Sequence, residues 1–570
     1  MNKLRFFLVL VIMLAGASAF YFLWPNTSVI SPIRPGETSL VIEGDKIEGM
    51  GTPVVEKGSV LLPFPVVKEY IDPKIYWDRD ENKVIITTED KVIRMKTDNL
   101  TAMVNARPVE LNIPVRLIDD IPYVPADLLE DLFDVDVKWV EATETVIIDY
   151  TGFAQRVGEV TNPKAKVRRE PSIKSPIYVD DLQPGQIVRV FEEDEKWYKV
   201  RTEEGIIGYM EKRFLSTSLT EVKGVSYDEP QPLTWKPDKG KINMVWEYVH
   251  KETPDISSFG KIKGVDVLTP TWFHIVDGSG TVANKADKKY VDDAHREGYK
   301  VWGLVTNNFD PEITHEVLNS TETREKVIQQ LLVYANLYEL DGINIDFENV
   351  YVKDRDMLTQ FVRELAPLFK EQGLVVSIDV TVKSSSENWS LCYDRKALGE
   401  VVDYMAVMAY DQHWEASPVA GSVAEITWVE NGIKAILEEV PSHKILLGLP
   451  FYAREWKEEI VDGRKRVTSR ALYMEGVQKI ISDKKLDKVW DEKSGQYYVE
   501  YSEGRAVYKI WVEDARSIDL RSSLVHKYDL AGVACWRRGF ETEDIWEVLN
   551  DNLKEKQNYA QWLEDNGFKE

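Results

Sequence analysis

The ten residues DGINIDFENV, Asp341 to Val350, put Asn344, Asp346 and Glu348 on alternate positions, with Ile343, Ile345 and Phe347 between them. In a β-strand this alternation sends the three polar side chains to one face and the three apolar ones to the other. Burying charge is costly, and neighbouring carboxylates raise one another's pKa. Two acids crowded in this way suit general acid–base work, in which one carboxyl keeps its proton near neutral pH while the other stays ionised. Two other polar or aromatic endings of apolar runs stand out: Tyr410 and Asp411 after MAVMA, and Trp536 after GVAC.

These endings need a scaffold that brings them together. From about residue 240 the sequence alternates apolar runs with amphipathic stretches such as TREKVIQQLLVYANLYEL (323–340). The runs 242–249, 264–273, 300–307, 342–348, 374–382, 404–411, 444–452 and 532–539 read as eight strands. Eight strands with intervening helices predict an α/β (β/α)8 TIM barrel over residues 238–560, with functional groups at the C-terminal strand ends. A doubly wound open sheet is the alternative, but no glycine-rich phosphate loop follows the first strand. Glu348 then closes the fourth strand, Tyr410 and Asp411 the sixth, and Trp536 lies in the eighth. The charged, aromatic region 453–515 predicts a small α+β insertion between strands seven and eight.

Two small β-rich domains are expected ahead of the barrel. In 38–150, LLPFPVVKEYIDPKIYWDRDENKVIIT echoes YVPADLLEDLFDVDVKWVEATETVIID; Pro63 matches Pro125 and Trp77 matches Trp139, at an offset of 62. Each unit reads as a short strand, a proline-initiated helix and a hairpin. Residues 160–218 read as short strands broken by turns at Pro184-Gly185 and Glu204-Gly205, as in a small barrel. At the N-terminus, Lys3 and Arg5 precede an uncharged run from Phe6 to Trp24, nineteen residues, followed by Pro25. That length predicts a transmembrane signal anchor over residues 1–25 with the remainder exported; a secretory signal cleaved near Ala17-Ser18-Ala19 is the alternative. The net charge of −25 and pI near 4.9 exclude nucleic acid and anionic lipid surfaces as partners. Two distant cysteines and seven histidines in no ligand spacing predict no disulfide framework, no metal and no cofactor.

DGINIDFE resembles the DGxDxDxE signature of glycoside hydrolase family 18, the chitinase-like enzymes. Met408 to Asp411 resembles that family's Met-x-Tyr-Asp, and GVACWRRGFE its eighth-strand tryptophan. The resemblance covers about the last 330 residues. It implies substrate-assisted retaining hydrolysis, in which the substrate's own acetamido oxygen attacks the anomeric carbon. Glu348 would be the general acid, Asp346 the group that orients the acetamido N–H, and Tyr410 the donor to the acetamido oxygen. Asp411 would bind a sugar hydroxyl and Trp536 would floor the sugar, with Met408, Asn344, Tyr452 and Trp272 as further substrate contacts. Asn344 departs from the family's middle aspartate: an amide can donate to Asp346 but cannot share a proton with it. The 38–150 repeat resembles the copper amine oxidase N-terminal-like domain, which need not bind copper, and 160–218 resembles bacterial SH3 domains, where Trp197 and Tyr198 could face a ligand. The implied partner is an N-acetylglucosamine-containing glycan, peptidoglycan ahead of chitin. A non-catalytic glycan-binding protein of the cell wall is the alternative.

Overall fold

Alternation of inward and outward side chains along each apolar run is what closes the C-terminal barrel. In the computed structural model the described residues are 24–224, 235–256 and 259–567, together with Phe7, Leu8, Val11 and Met13. The expected transmembrane segment therefore lies almost wholly outside the described residues, among which no helix is long and apolar enough to cross a membrane. The chain divides into two compact units, Met1–Ile86 with Ile93–Pro230, and Thr87–Val92 with Gln231–Glu570.

In the second unit, eight parallel strands close on themselves: β1 (Ile242–Glu247), β2 (Val267–Ile275), β3 (Lys300–Thr306), β4 (Gly342–Asp346), β5 (Val375–Thr381), β6 (Tyr404–Met408), β7 (Ile445–Pro450) and β8 (Gly532–Trp536). β1 pairs with both β2 and β8, so the sheet has no free edge among these eight. Ile242, Met244 and Trp246 of β1, Trp302 and Leu304 of β3, Val375 of β5 and Tyr404 and Ala406 of β6 fill the interior. At the floor the Trp302 and Tyr404 rings stack at 5.8 Å. Gly342 is required at this level, because a Cβ there would lie 2.6 Å from the Val375 carbonyl oxygen. Asp341, just before it, takes Lys300 at 2.8 Å and the Val301 N–H at 2.9 Å, so it pins the strand entrance.

The strands are shorter than the apolar runs suggest. β4 ends at Asp346 and β6 at Met408, which leaves Glu348, Tyr410 and Asp411 on the loops above the barrel. Between β7 and β8 an antiparallel five-stranded sheet with the helix Met474–Lys484 forms the expected α+β insertion.

In the first unit the two repeats have the same element order. Ser59–Pro63 leads into the helix Phe64–Tyr70, and Ile121–Pro125 into Ala126–Leu132. The two leading strands pair antiparallel, Tyr123 with Pro63 and Pro125 with Leu61. The following module is a seven-stranded sheet. Trp197 and Tyr198 are both buried in it, and Tyr198 belongs to its apolar core, so neither offers a ring face to a ligand.

Outside the barrel, Arg324 and Glu364 form a fully buried ion pair at 2.8 Å between two helices. Removing one partner leaves an uncompensated charge, which costs about 3–5 kcal/mol. Glu364→Ala is expected to lower the unfolding free energy of the barrel unit by that amount in urea titrations, and Glu364→Gln by less. Equal stability of Glu364→Ala and the parent protein would refute the pair's structural role.

Candidate active site

The inward parity of β4 places Asn344 inside the barrel and Asp346 one level higher, at its mouth. Asn344 is fully buried and its orientation is fixed by chemistry, because the Trp246 indole N–H can only donate. That N–H reaches Asn344 Oδ1 at 3.0 Å. The amide nitrogen must then face the other way, where it donates to Ser377 Oγ at 3.0 Å and to Asp379 Oδ1 at 2.8 Å. Two expectations are corrected here. Asn344 does not donate to Asp346, and it cannot touch a substrate, because Trp246 and β5 enclose it.

Among the described residues, no group donates a hydrogen bond to the carboxyls of Asp346 or Glu348. Burial pushes Asp346 up to about 7. Glu348 is half-buried at the mouth and is held well above the usual carboxylate range, first by desolvation and then by the charges of Asp346 and Asp411. Asp379 is buried and also raised, by desolvation and then by Asp346. Three acids in one dry mouth cannot all ionise together, so they titrate as a set.

The loop that carries Glu348 is gripped by its main chain. Asn307, buried just beyond β3, accepts from the Glu348 N–H at 3.1 Å and donates to the Glu348 carbonyl at 2.7 Å. The same amide reaches Thr314 Oγ1 at 2.8 Å. The Tyr393 hydroxyl donates to the Phe347 carbonyl at 2.8 Å, and the Val350 N–H to the Asn388 carbonyl at 3.0 Å. Sequence reasoning missed Asn307, Tyr393 and Asp379. Only Asp379 had a local signal, as a lone acid at an inward position of an apolar strand.

Tyr410 sits above β6, its hydroxyl raised well above its usual value by burial and then by Tyr452, Asp379, Glu348 and Asp346. Asp411 is exposed on the rim with a left-handed backbone (φ 57°), and accepts from the Tyr452 hydroxyl at 2.5 Å. Tyr452 is itself buried, its ring edge-on to Tyr410, so it holds Asp411 and is not the sugar platform expected of it. Met408 is the buried last residue of β6. Trp536 is partly exposed at the end of β8 and meets Trp246 edge-to-face at 5.9 Å. Trp272 is a second corrected expectation for a platform. It is fully buried, packs on Tyr290 of the outer helix Lys288–Glu297 and donates to Thr253 at 3.0 Å.

A closed parallel barrel with clustered acids over β4 defines a class, and the comparisons agree with it. The family model for glycosyl hydrolases family 18 matches residues 246–541, about half the chain, and the chain belongs to that family of glycosidases. Residues 41–148 match the copper amine oxidase N-terminal domain and 163–216 the bacterial SH3 domain. The uncharacterized glycosylase YvbX of Bacillus subtilis (strain 168) is 25% identical over 288 residues, covering 48% of this chain and 81% of that protein. The cortical fragment-lytic enzyme of the same organism is 26% identical over 257 residues, 44% of this chain and 59% of that protein. In fold, the crystal structure of the Bacillus cereus spore cortex-lytic enzyme SleL is similar, with a TM-score of 0.51 at 19% identity, covering 66% of this chain and 91% of that one.

The raised carboxyls have a consequence for stability. A carboxyl whose folded pKa lies above its unfolded value supports the fold at low pH and loses that contribution as pH rises through the folded value. Asp346, near 3.9 unfolded and about 7 folded, therefore weakens the barrel progressively between about pH 4 and pH 7. Asp346→Asn is expected to melt at a higher temperature than the parent at pH 8, with the difference shrinking toward pH 4.5. A pH-independent difference in thermal melts would contradict this.

Proposed function

We propose that the protein hydrolyses β-1,4 bonds of N-acetylglucosamine-containing polymer by a substrate-assisted, retaining route, with peptidoglycan preferred to chitin. The observation that carries the reading is Glu348: a carboxyl at the barrel mouth, with its proton held by burial and by Asp346, and its backbone fixed by Asn307. Glu348 gives its proton to the leaving oxygen as the acetamido oxygen attacks the anomeric carbon, and then deprotonates the water that displaces it. Asp346 orients the acetamido N–H and Tyr410 donates to the acetamido oxygen. Asp411 takes a sugar hydroxyl, Trp536 floors the ring and Met408 lines it. The relative described as a cortical fragment-lytic enzyme and the bacterial SH3 match support the choice of peptidoglycan. The basic flank and uncharged run ending at Trp24 support attachment to the cell membrane as a single-pass protein, with the catalytic domain outside.

Glu348→Gln keeps the shape without the proton, so turnover of peptidoglycan fragments is expected to fall about 10²–10⁴-fold while glycan binding persists. NMR of the product immediately after cleavage is expected to show the retained anomer. Inversion, or near-normal turnover by Glu348→Gln, would overturn the mechanism, whereas glycan binding with no turnover by the parent protein would favour a glycan-binding protein without activity.

A further inference from the structure

Asn344 leaves the fourth strand without the middle acid, yet the neighbouring strand supplies a carboxyl one level higher, within reach of the Asn344 amide. β4 and β5 run in register, Asn344 beside Ser377 and Ile345 beside Ile378. The next inward residues are therefore Asp346 and Asp379, side by side at the top of the sheet. Asp379 is 1% exposed. It accepts from the Asn344 amide at 2.8 Å, and that amide cannot turn over because the Trp246 indole holds its oxygen. The titratable groups facing Asp379 are Asp346 and Glu348 from β4 and its loop and Tyr410 from above β6; β1 offers only the neutral Trp246.

We propose that Asp379 is the proton-sharing partner of Asp346, doing from β5 what an acid at position 344 would otherwise do. The inference rests on the proposed hydrolase activity. One proton is held between Asp346 and Asp379. While it sits on Asp379, Asp346 carries the negative charge that orients the acetamido N–H. The Asn344 amide donates to Asp379 in either protonation state and fixes where that carboxyl lies. Asp379 touches no substrate and acts through Asp346, so it is a positioning residue. Its burial raises it well above the usual carboxylate range, consistent with a proton retained at neutral pH.

The test relocates the acid. Asp379→Asn is expected to lower kcat on N-acetylglucosamine oligosaccharides about 10- to 100-fold and to shift the pH profile, with KM nearly unchanged. The double variant Asn344→Asp/Asp379→Asn returns the acid to β4 and is expected to recover most of the lost rate. Infrared spectra of the parent minus Asp379→Asn at pH 7 are expected to show a protonated carboxyl band, which needs no turnover to be seen. An unchanged pH profile in Asp379→Asn, a double variant no better than the single one, or no difference band would each overturn the inference. If the parent protein cleaves no such glycan, the proposed activity fails while the infrared arm still decides the state of Asp379.

Discussion

Carboxylates that share a water-poor mouth cannot all be charged, and the architecture over β4 is arranged around that constraint. Asp346, Glu348 and Asp379 lie within one another's fields with no hydrogen-bond donor to Asp346 or Glu348 among the described residues. A cation beside them would lower their pKa values and release the proton that burial holds on them. The barrel instead supplies neutral partners: the Trp246 indole, the Asn344 amide, the Ser377 hydroxyl and the Tyr410 phenol. Closure by β1 between β2 and β8 brings these groups, from three different strands and the loop above a fourth, round a single interior.

Stability and function pull in opposite directions at this level. Below the mouth the interior is apolar and aromatic, with the Trp302 and Tyr404 stack at its floor. At the mouth, desolvated acids weaken the fold as pH rises, and the surrounding strands must outweigh that cost. The insertion after β7 contributes here as well. Its first strand begins at Tyr452, whose hydroxyl steadies the exposed Asp411, so the rim is braced from a segment outside the barrel repeat.

The sequence made the barrel legible because each strand is a separate apolar run, and period-two alternation put Asp346 and Trp536 at the mouth. It failed where parity or distance intervened. Trp272 stands near the end of β2, but alternation from the inward Val267 sends it outward, where it packs on Tyr290, so nearness to the strand end was misleading. Asn344 was legible as an inward residue, but its partners were not: Trp246 is 98 residues away, and only a closed barrel brings it within 3.0 Å. Asn307 and Tyr393 grip the loop that carries Glu348 from the loops that follow β3 and β5, and nothing near them in the chain marks that role. Strand ends were overrun by two residues at β4 and three at β6, because those apolar runs continue into the loops above the barrel.

The grip on Glu348 is exerted on its peptide groups, by Asn307 at the N–H and the carbonyl, and none of it depends on the side chain at that position. That main-chain anchor is therefore open to other side chains at residue 348. Under the proposed mechanism, a single change at this codon would remove the acid while the hydrogen bonds that hold the loop by its main chain remain available.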